Sequence, residues 1–446
     1  MNAPGPKGSL WLGDYRELKG RGQVSFFVDC WKRYGDLVRF RLGPLVAHIV
    51  VHPDHVQRVL AHAQRNYGRG VGYRRTMDLL GQGLLTSEGT LWQRQRRLMQ
   101  PPFTPRATAE YGPQMVAVAE RQLERWRGPC ERGEPVDALE DMLRLTLEIL
   151  AKALLNLDLG TDRAEMVHAF REACEIINER LKAPFVLPLA VPLPSNRRLR
   201  NALRTLDRIV YRQIDERRRS PSPPQDVFSK LLWAKHPETG AGMTDQQIRD
   251  ELVTLFFAGH ETGAVLMAWA WLSLSQHPEV ERRLHAELDQ VLGGQAPRVE
   301  VLPQLPYARA VLAETLRLYP SVWTFPRQAL GPDEIGGFEI PRGSLIFPSA
   351  YLTHRHPDFW ERPDEFAPER FLPGRSESQH QYAYYPFGGG PRTCIGVHFG
   401  LLEAQLVLVT LAQRYRLRLV PGHQVEPRSV ITLQPAGGLP MFVERR

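Results

Sequence analysis

The chain has 446 residues, 43% of them hydrophobic and 24% charged, and its 57 Lys and Arg outnumber 49 Asp and Glu for a formal net charge of +8. These proportions are those of a globular protein. The basic residues are spread out with no interleaved aromatic stripe, which argues against a nucleic-acid module, and the charge is read as a solvated exterior. The four cysteines, Cys30, Cys130, Cys174 and Cys394, lie far apart and form no C-x-x-C pair. That argues against a disulfide framework or zinc site and fits a reducing compartment.

Length alone would allow two or three domains, yet no linker, repeat or low-complexity stretch divides the sequence, so residues 1–446 are expected to form a single domain. The opening MNAPGPKGSLWLG lacks a basic region followed by an apolar core. No signal peptide or membrane anchor is expected, and the location is expected to be cytoplasmic.

In chain order, residues 37–51 read as two short strands around a Gly43-Pro44 turn. From about 53 to 320 the pattern is mostly helical. The glycine-rich stretch 66–88 reads as a long loop, and PFVLPLAVPLP at 184–194 is apolar yet full of helix breakers. That second stretch is either core or the frame of an entrance for a greasy ligand. A long helix starts near Thr244, where Gln247 completes a capping box, and stops at Gln276-His277-Pro278. Its middle, 252–274, is apolar nearly all round, the pattern of a membrane span or of a helix through the centre of a large domain. His260, Glu261 and Thr262 at its midpoint would be costly in lipid, so a central buried helix is expected. After 320, GFEIPRGSLIF restores strand signals, and one more helix covers about 396–414. The fold class is mainly α with small β-sheets, an α+β arrangement.

The most specific segment is Phe387-Gly388-Gly389-Gly390-Pro391-Arg392-Thr393-Cys394-Ile395-Gly396. Its glycines let backbone approach something flat. Cys394 opens an amphipathic helix, where free N–H groups and the helix dipole favour a thiolate, and Arg392 adds a nearby cation. Such a thiolate can be a nucleophile or a metal ligand. A merely structural cysteine would leave the glycine run, Arg392 and Phe387 unexplained, and no Cys/His pairing signature is recognisable.

The pattern F-x-x-G-x-R-x-C-x-G resembles the haem-binding loop of the cytochrome P450 superfamily, in its soluble bacterial form. The resemblance implies that Cys394 is the axial ligand of the iron. It also implies that Arg392 pairs with a haem propionate, that Phe387 packs beneath the ring, and that Gly388 lets backbone meet it. It places the haem between the long central helix and the cysteine-bearing helix.

Three further motifs follow in family order. Ala258-Gly259-His260-Glu261-Thr262 is similar to the oxygen-activation segment, in which an acid–alcohol pair supplies protons to a site that excludes water. Gly263 stands where the family usually has a second hydroxyl residue. Glu314-Thr315-Leu316-Arg317 resembles the E-x-x-R motif and Pro368-Glu369-Arg370-Phe371 its downstream arginine segment; the three charged residues Glu314, Arg317 and Arg370 are given a folding role. Trp92 and Arg96, four apart, resemble a propionate clamp, and Arg327 and His354 match two more propionate positions.

What the resemblance implies is then concrete. The cofactor is haem b, iron protoporphyrin IX, with Cys394 as its metal ligand, and Glu261 and Thr262 are catalytic. The activity is insertion of one oxygen atom from O2 into a lipophilic small molecule of terpenoid, fatty acid, polyketide or steroid-like type. Ala258, Val322, Trp323, Phe325 and Leu433 are expected to face that substrate. About 450 residues are fully used by such a haem domain, so electrons are expected from a ferredoxin or flavodoxin and its reductase. Arg94, Arg97 and Arg106 are candidates for the docking face. No nucleic acid is expected, and a monomer is. Rival readings are a peroxide-driven peroxygenase or hydroperoxide isomerase, against which the acid–alcohol pair argues, and a non-catalytic haem sensor, for which no partner module is visible.

Overall fold

The structure, a computed structural model, describes all residues except 10, 155, 157–161, 184–185, 223, 225, 237, 376–378 and 430. Contacts divide the chain into two compact units interleaved in sequence. One comprises Met1–Gly70, Met115–Leu145 and Glu261–Arg446; the other comprises Val71–Gln114 and Thr146–His260.

The first unit holds a five-stranded sheet. The expected hairpin forms from Leu37–Leu42 and Leu45–Val50, with Leu42 opposite Leu45 and Gly43 at φ +59° making the turn. The second strand pairs in parallel with Leu345–Pro348. That strand pairs with Arg327–Ala329, which pairs in turn with Tyr67–Gly68. One face of the sheet covers a core that includes Val56, Val59, Leu60, Ile346, Tyr382 and Tyr385. This core brings the turn of helix at Arg58–His62 against the cysteine segment, because Leu60 and Ala61 touch Gly390.

The E-x-x-R helix runs Pro306–Leu318, and its charged pair is fully enclosed. Arg317 donates from Nε and Nη2 to the two oxygens of Glu314, each at 2.7 Å. Its remaining donors reach the carbonyls of His354, Pro363 and Glu365 at 2.9, 2.6 and 2.9 Å. Arg370 completes the group as an ion pair 3.4 Å from Glu314. The arginine fork thus ties three loop carbonyls to one helix, as a buried charge must be tied.

The glycine-rich stretch is not all loop: Gly70–Leu80 is a helix, in the second unit from Val71 on. Low glycine propensity is overridden by long-range bonds. Arg75 donates to the carbonyls of Arg180 and Ala183 at 3.1 and 2.7 Å, and Arg249 to that of Leu79 at 2.8 Å. The turn that follows is held by two carboxylates, with Gln82 N–H donating to Asp250 and Leu84 N–H to Glu251, both at 2.9 Å. Of the apolar 184–194 stretch, 184 and 185 lie outside the described residues. Leu187 and Leu193 are exposed, so this segment is surface rather than core.

The long helix runs Asp245–Gln276. Its capping box is present in both directions: Thr244 N–H donates to Gln247 Oε1 at 3.0 Å and Gln247 N–H to Thr244 Oγ1 at 3.2 Å. Among the described residues it is the one helix long and apolar enough to cross a membrane, and 67% of its apolar window is buried inside the protein.

Candidate active site

The cysteine segment is a closed loop. Cys394 N–H donates to the Phe387 carbonyl at 2.9 Å, and Gly388 and Gly390 take φ +73° and +65°. A side chain at Gly390 would collide with the Leu60 carbonyl, and one at Gly388 would crowd the Phe325 ring. Glycine is required at both positions. The loop places Cys394 just ahead of the helix Val397–Ala412, which is buried at Phe399 and from Glu403 to Ala412. Cys394 itself is exposed. Phe387 and Arg392 are half-buried beside it.

The long helix opens where its motif lies. Leu252–Phe256 and Ala264–Leu274 are buried, but Ala258 is exposed and Glu261 and Thr262 are half-exposed. These three stand at i, i+3 and i+4, one face of a helix. Glu261 is not left to wander: its Oε1 accepts from the Thr432 hydroxyl and, at 2.5 Å, from Gln434 Nε2. Ser321 Oγ donates to the Thr262 carbonyl at 2.9 Å. Thr432 and Gln434 carry no motif; the sequence pointed only to the 430–434 turn as part of the pocket and gave neither residue a role, and Gln434 lies in the strand Leu433–Pro435 with Thr432 immediately before it.

The other expected residues divide. Arg327 is buried at the start of its strand, donating to the Pro326 carbonyl at 2.9 Å. His354, expected beside a propionate, is instead wholly enclosed at 0% exposure. Its Nε2 accepts from Tyr385 N–H at 2.9 Å, and its ring lies against Tyr384 and Tyr385. Burial, reinforced by the charges of Arg317 and Arg355, pushes its pKa down to about 3, so the ring is neutral. A side chain with no exposed surface reaches no cofactor; it orders the backbone ahead of the cysteine loop.

Trp323, expected to face substrate, packs edge-on against Phe27 at 5.3 Å and is 3% exposed. Leu433 is 0% exposed, with its N–H donating to Ser321 O at 3.0 Å and its carbonyl accepting from Trp269 Nε1 at 2.6 Å. Both leave the substrate-facing set, while Val322 and Phe325 keep partial exposure.

Trp92 and Arg96 share the helix Gly89–Met99 in the second unit, both half-buried. Of the three docking arginines, Arg97 pairs with Glu238 at 3.0 Å and Arg94 donates to the Gly242 carbonyl, while Arg106 is exposed. Arg97 therefore offers less charge to a partner than its position suggested, whereas Arg94, bonded to a neutral carbonyl, keeps its charge.

The residues fit a flat, iron-centred, acidic group. They provide an exposed sulfur on a rigid glycine loop, guanidinium donors at Arg392 and Arg327, and a bare face on the long helix. A thiolate-ligated haem protein is the class these features define.

The model of the cytochrome P450 family matches residues 3–438. Cyclooctatin synthase of Streptomyces melanosporofaciens is 38% identical over 98% of this chain and 95% of its own length. Cyclooctat-9-en-7-ol 5-monooxygenase of the same organism is 38% identical over 94% and 90%. Pentalenene oxygenase of Streptomyces avermitilis is 33% identical over 91% and 90%. The crystal structure of the cytochrome P450DA heme domain superposes with TM-score 0.92 at 28% identity, covering 100% of this chain and 98% of that one. The chain belongs to the cytochrome P450 family and has its fold. It is a haem-thiolate monooxygenase, an oxidoreductase that incorporates oxygen from O2 into lipophilic molecules with electrons from a redox partner.

Proposed function

We propose that this protein oxygenates a terpenoid carbon skeleton, using haem b and electrons from a ferredoxin or flavodoxin and its reductase, as a cytoplasmic monomer. Residues 1–446 act as one haem domain; the family match, which runs through both units without a break, supports this. The reaction rests on one observation, the face of an otherwise buried helix that opens at Ala258, Glu261 and Thr262. The names of the relatives support the terpenoid class: one is an oxygenase of pentalenene, an alkene, and another a monooxygenase of cyclooctat-9-en-7-ol, an alkenol.

When bound, haem supplies the oxygen activation that no side chain can perform. The chain's own groups do the rest. The Cys394 thiolate would bind the iron. Arg392 and Arg327 would serve the propionates as donors, and Trp92 and Arg96 are assigned the same role by their motif. Phe387 and Gly388 would support the ring. Glu261 holds a proton and passes it toward the Thr262 hydroxyl, while Ala258, Val322 and Phe325 give the substrate an apolar surface and exclude water.

The test is a spin-state titration of the purified ferric protein with pentalenene, cyclooctat-9-en-7-ol, a long-chain fatty acid, a macrolactone and a steroid. The reading expects a high-spin shift from at least one terpenoid, followed by an oxygenated product carrying label from oxygen-18 gas. A shift from the fatty acid, macrolactone or steroid alone would overturn the substrate class.

A further inference from the structure

We propose that Thr432 and Gln434 are positioning residues that fix the Glu261 carboxylate, making the hairpin strand at Leu433–Pro435 part of the proton-delivery machinery. This rests on reading Glu261 as the proton carrier. A glutamate has three rotatable side-chain bonds, and one standing half-exposed on a helix face would sample many positions. Here it cannot: two donors converge on one oxygen, the Thr432 hydroxyl and the Gln434 amide at 2.5 Å. Both are charge-assisted bonds, the stronger kind. With Oε1 so held, the direction of Oε2 is set by the planar carboxylate.

The donors are themselves held. Thr432 stands immediately before the strand Leu433–Pro435 and Gln434 within it, both reaching Glu261, while Leu433 between them is fully buried. The hairpin pairs Ser429 with Leu433 and Pro427 with Pro435. Its backbone is then fastened twice. Leu433 N–H donates to the Ser321 carbonyl at 3.0 Å, and the Leu433 carbonyl accepts from Trp269 Nε1 at 2.6 Å. Trp269 lies about two helical turns beyond Glu261 on the long helix and stacks on Tyr319, ring centroids 4.1 Å apart and nearly parallel. Ser321 closes the ring of contacts by donating to the Thr262 carbonyl. The acid and the alcohol are thus linked through one strand and one loop that immediately precedes Val322 and Phe325. Such a closed arrangement holds a side chain in one place, which a proton relay with fixed distances requires.

Hydrogen-peroxide-driven oxidation of guaiacol by the haem-loaded protein is the activity assay, since it needs neither the redox partner nor the natural substrate. Cleaving peroxide to water still requires proton relocation. The variants are T432V/Q434L, E261Q, the three combined, and T432S as the conservative control. The inference predicts that T432V/Q434L lowers kcat about tenfold, the worth of one charge-assisted bond, while KM for peroxide stays within about twofold. T432S should match the parent, and adding T432V/Q434L to E261Q should cost nothing more.

The second readout is hydrogen exchange of the peptide spanning 428–436, which does not depend on turnover. E261A should raise exchange about tenfold by removing the acceptor, whereas E261Q, which keeps a carbonyl oxygen, should not. If E261Q lowers kcat and T432V/Q434L does not, or if E261A leaves exchange unchanged, the positioning role is overturned while the proton-carrier reading stands. If E261Q itself leaves kcat unchanged, the proton-carrier reading fails, and the positioning role with it.

Discussion

Replacing Arg317 with leucine should be the most damaging change outside the cofactor ligand. The substitution strips Glu314 of both 2.7 Å bonds and leaves three loop carbonyls, those of His354, Pro363 and Glu365, without this donor. Glu314 stays fully enclosed, keeping the Ala367 N–H at 2.8 Å and Arg370 at 3.4 Å. Breaking a buried ion pair from one side costs about 3–5 kcal/mol. Each carbonyl left dry adds to that cost, so about 4 kcal/mol is a lower estimate against a typical total of roughly 5–15. The assay is the urea midpoint followed by tryptophan fluorescence, paired with haem content per chain after purification. Arg317→Leu should lose at least that stability and most of its haem. The double variant E314L/R317L should recover more than half, because the stranded charge is gone. A loss below about 1 kcal/mol for the single variant, or a double variant as unstable as the single, would refute the reasoning.

Gly390→Ala places a methyl group on the Leu60 carbonyl at φ +65°, whereas Gly396→Ala meets only the Cys394 sulfur at 3.9 Å. Haem content after reconstitution should fall by more than about half for the first, whose strain is of order 1–3 kcal/mol before the clash is counted, and stay near the parent value for the second. Glu403 is buried in the cysteine helix, and burial raises its pKa from 4.5 to about 8. In that window the folded chain holds a proton that the unfolded chain has lost, so stability falls as pH rises from about 5 toward 8. Glu403→Gln should remove that fall, making the variant up to ~3 kcal/mol more stable relative to the parent at pH 8 than at pH 5.5; parallel curves would contradict it. Thr262→Ala should leave substrate-induced spin shifts within about twofold while lowering product formed per NADPH about a hundredfold, the low end of what a positioned proton donor contributes.

The capping box at Thr244 and Gln247, the strand pair around Gly43 and the cysteine loop were legible because each is written in a few adjacent residues whose chemistry is local. The helix at Gly70–Leu80 was not, since the bonds that hold it come from Arg75 to a segment over a hundred residues away. His354 was assigned to the cofactor from its motif, but which way an imidazole points depends on burial between Tyr384 and Tyr385, which the motif does not encode. Trp323 was misplaced for the same reason: its direction was decided by the aromatic cluster around Phe27, far away in the sequence. Thr432 and Gln434 were invisible because their relevance comes only from the fold that sets them against Glu261.

The central claim is that Cys394 presents a thiolate to haem iron. The carbon monoxide difference spectrum of the dithionite-reduced protein tests it most directly, with Cys394→His as the comparison. The account predicts a strongly red-shifted Soret band for the parent protein and its loss in the variant. A band typical of histidine or neutral-thiol ligation in the parent, or folded protein that takes up no haem, would contradict it.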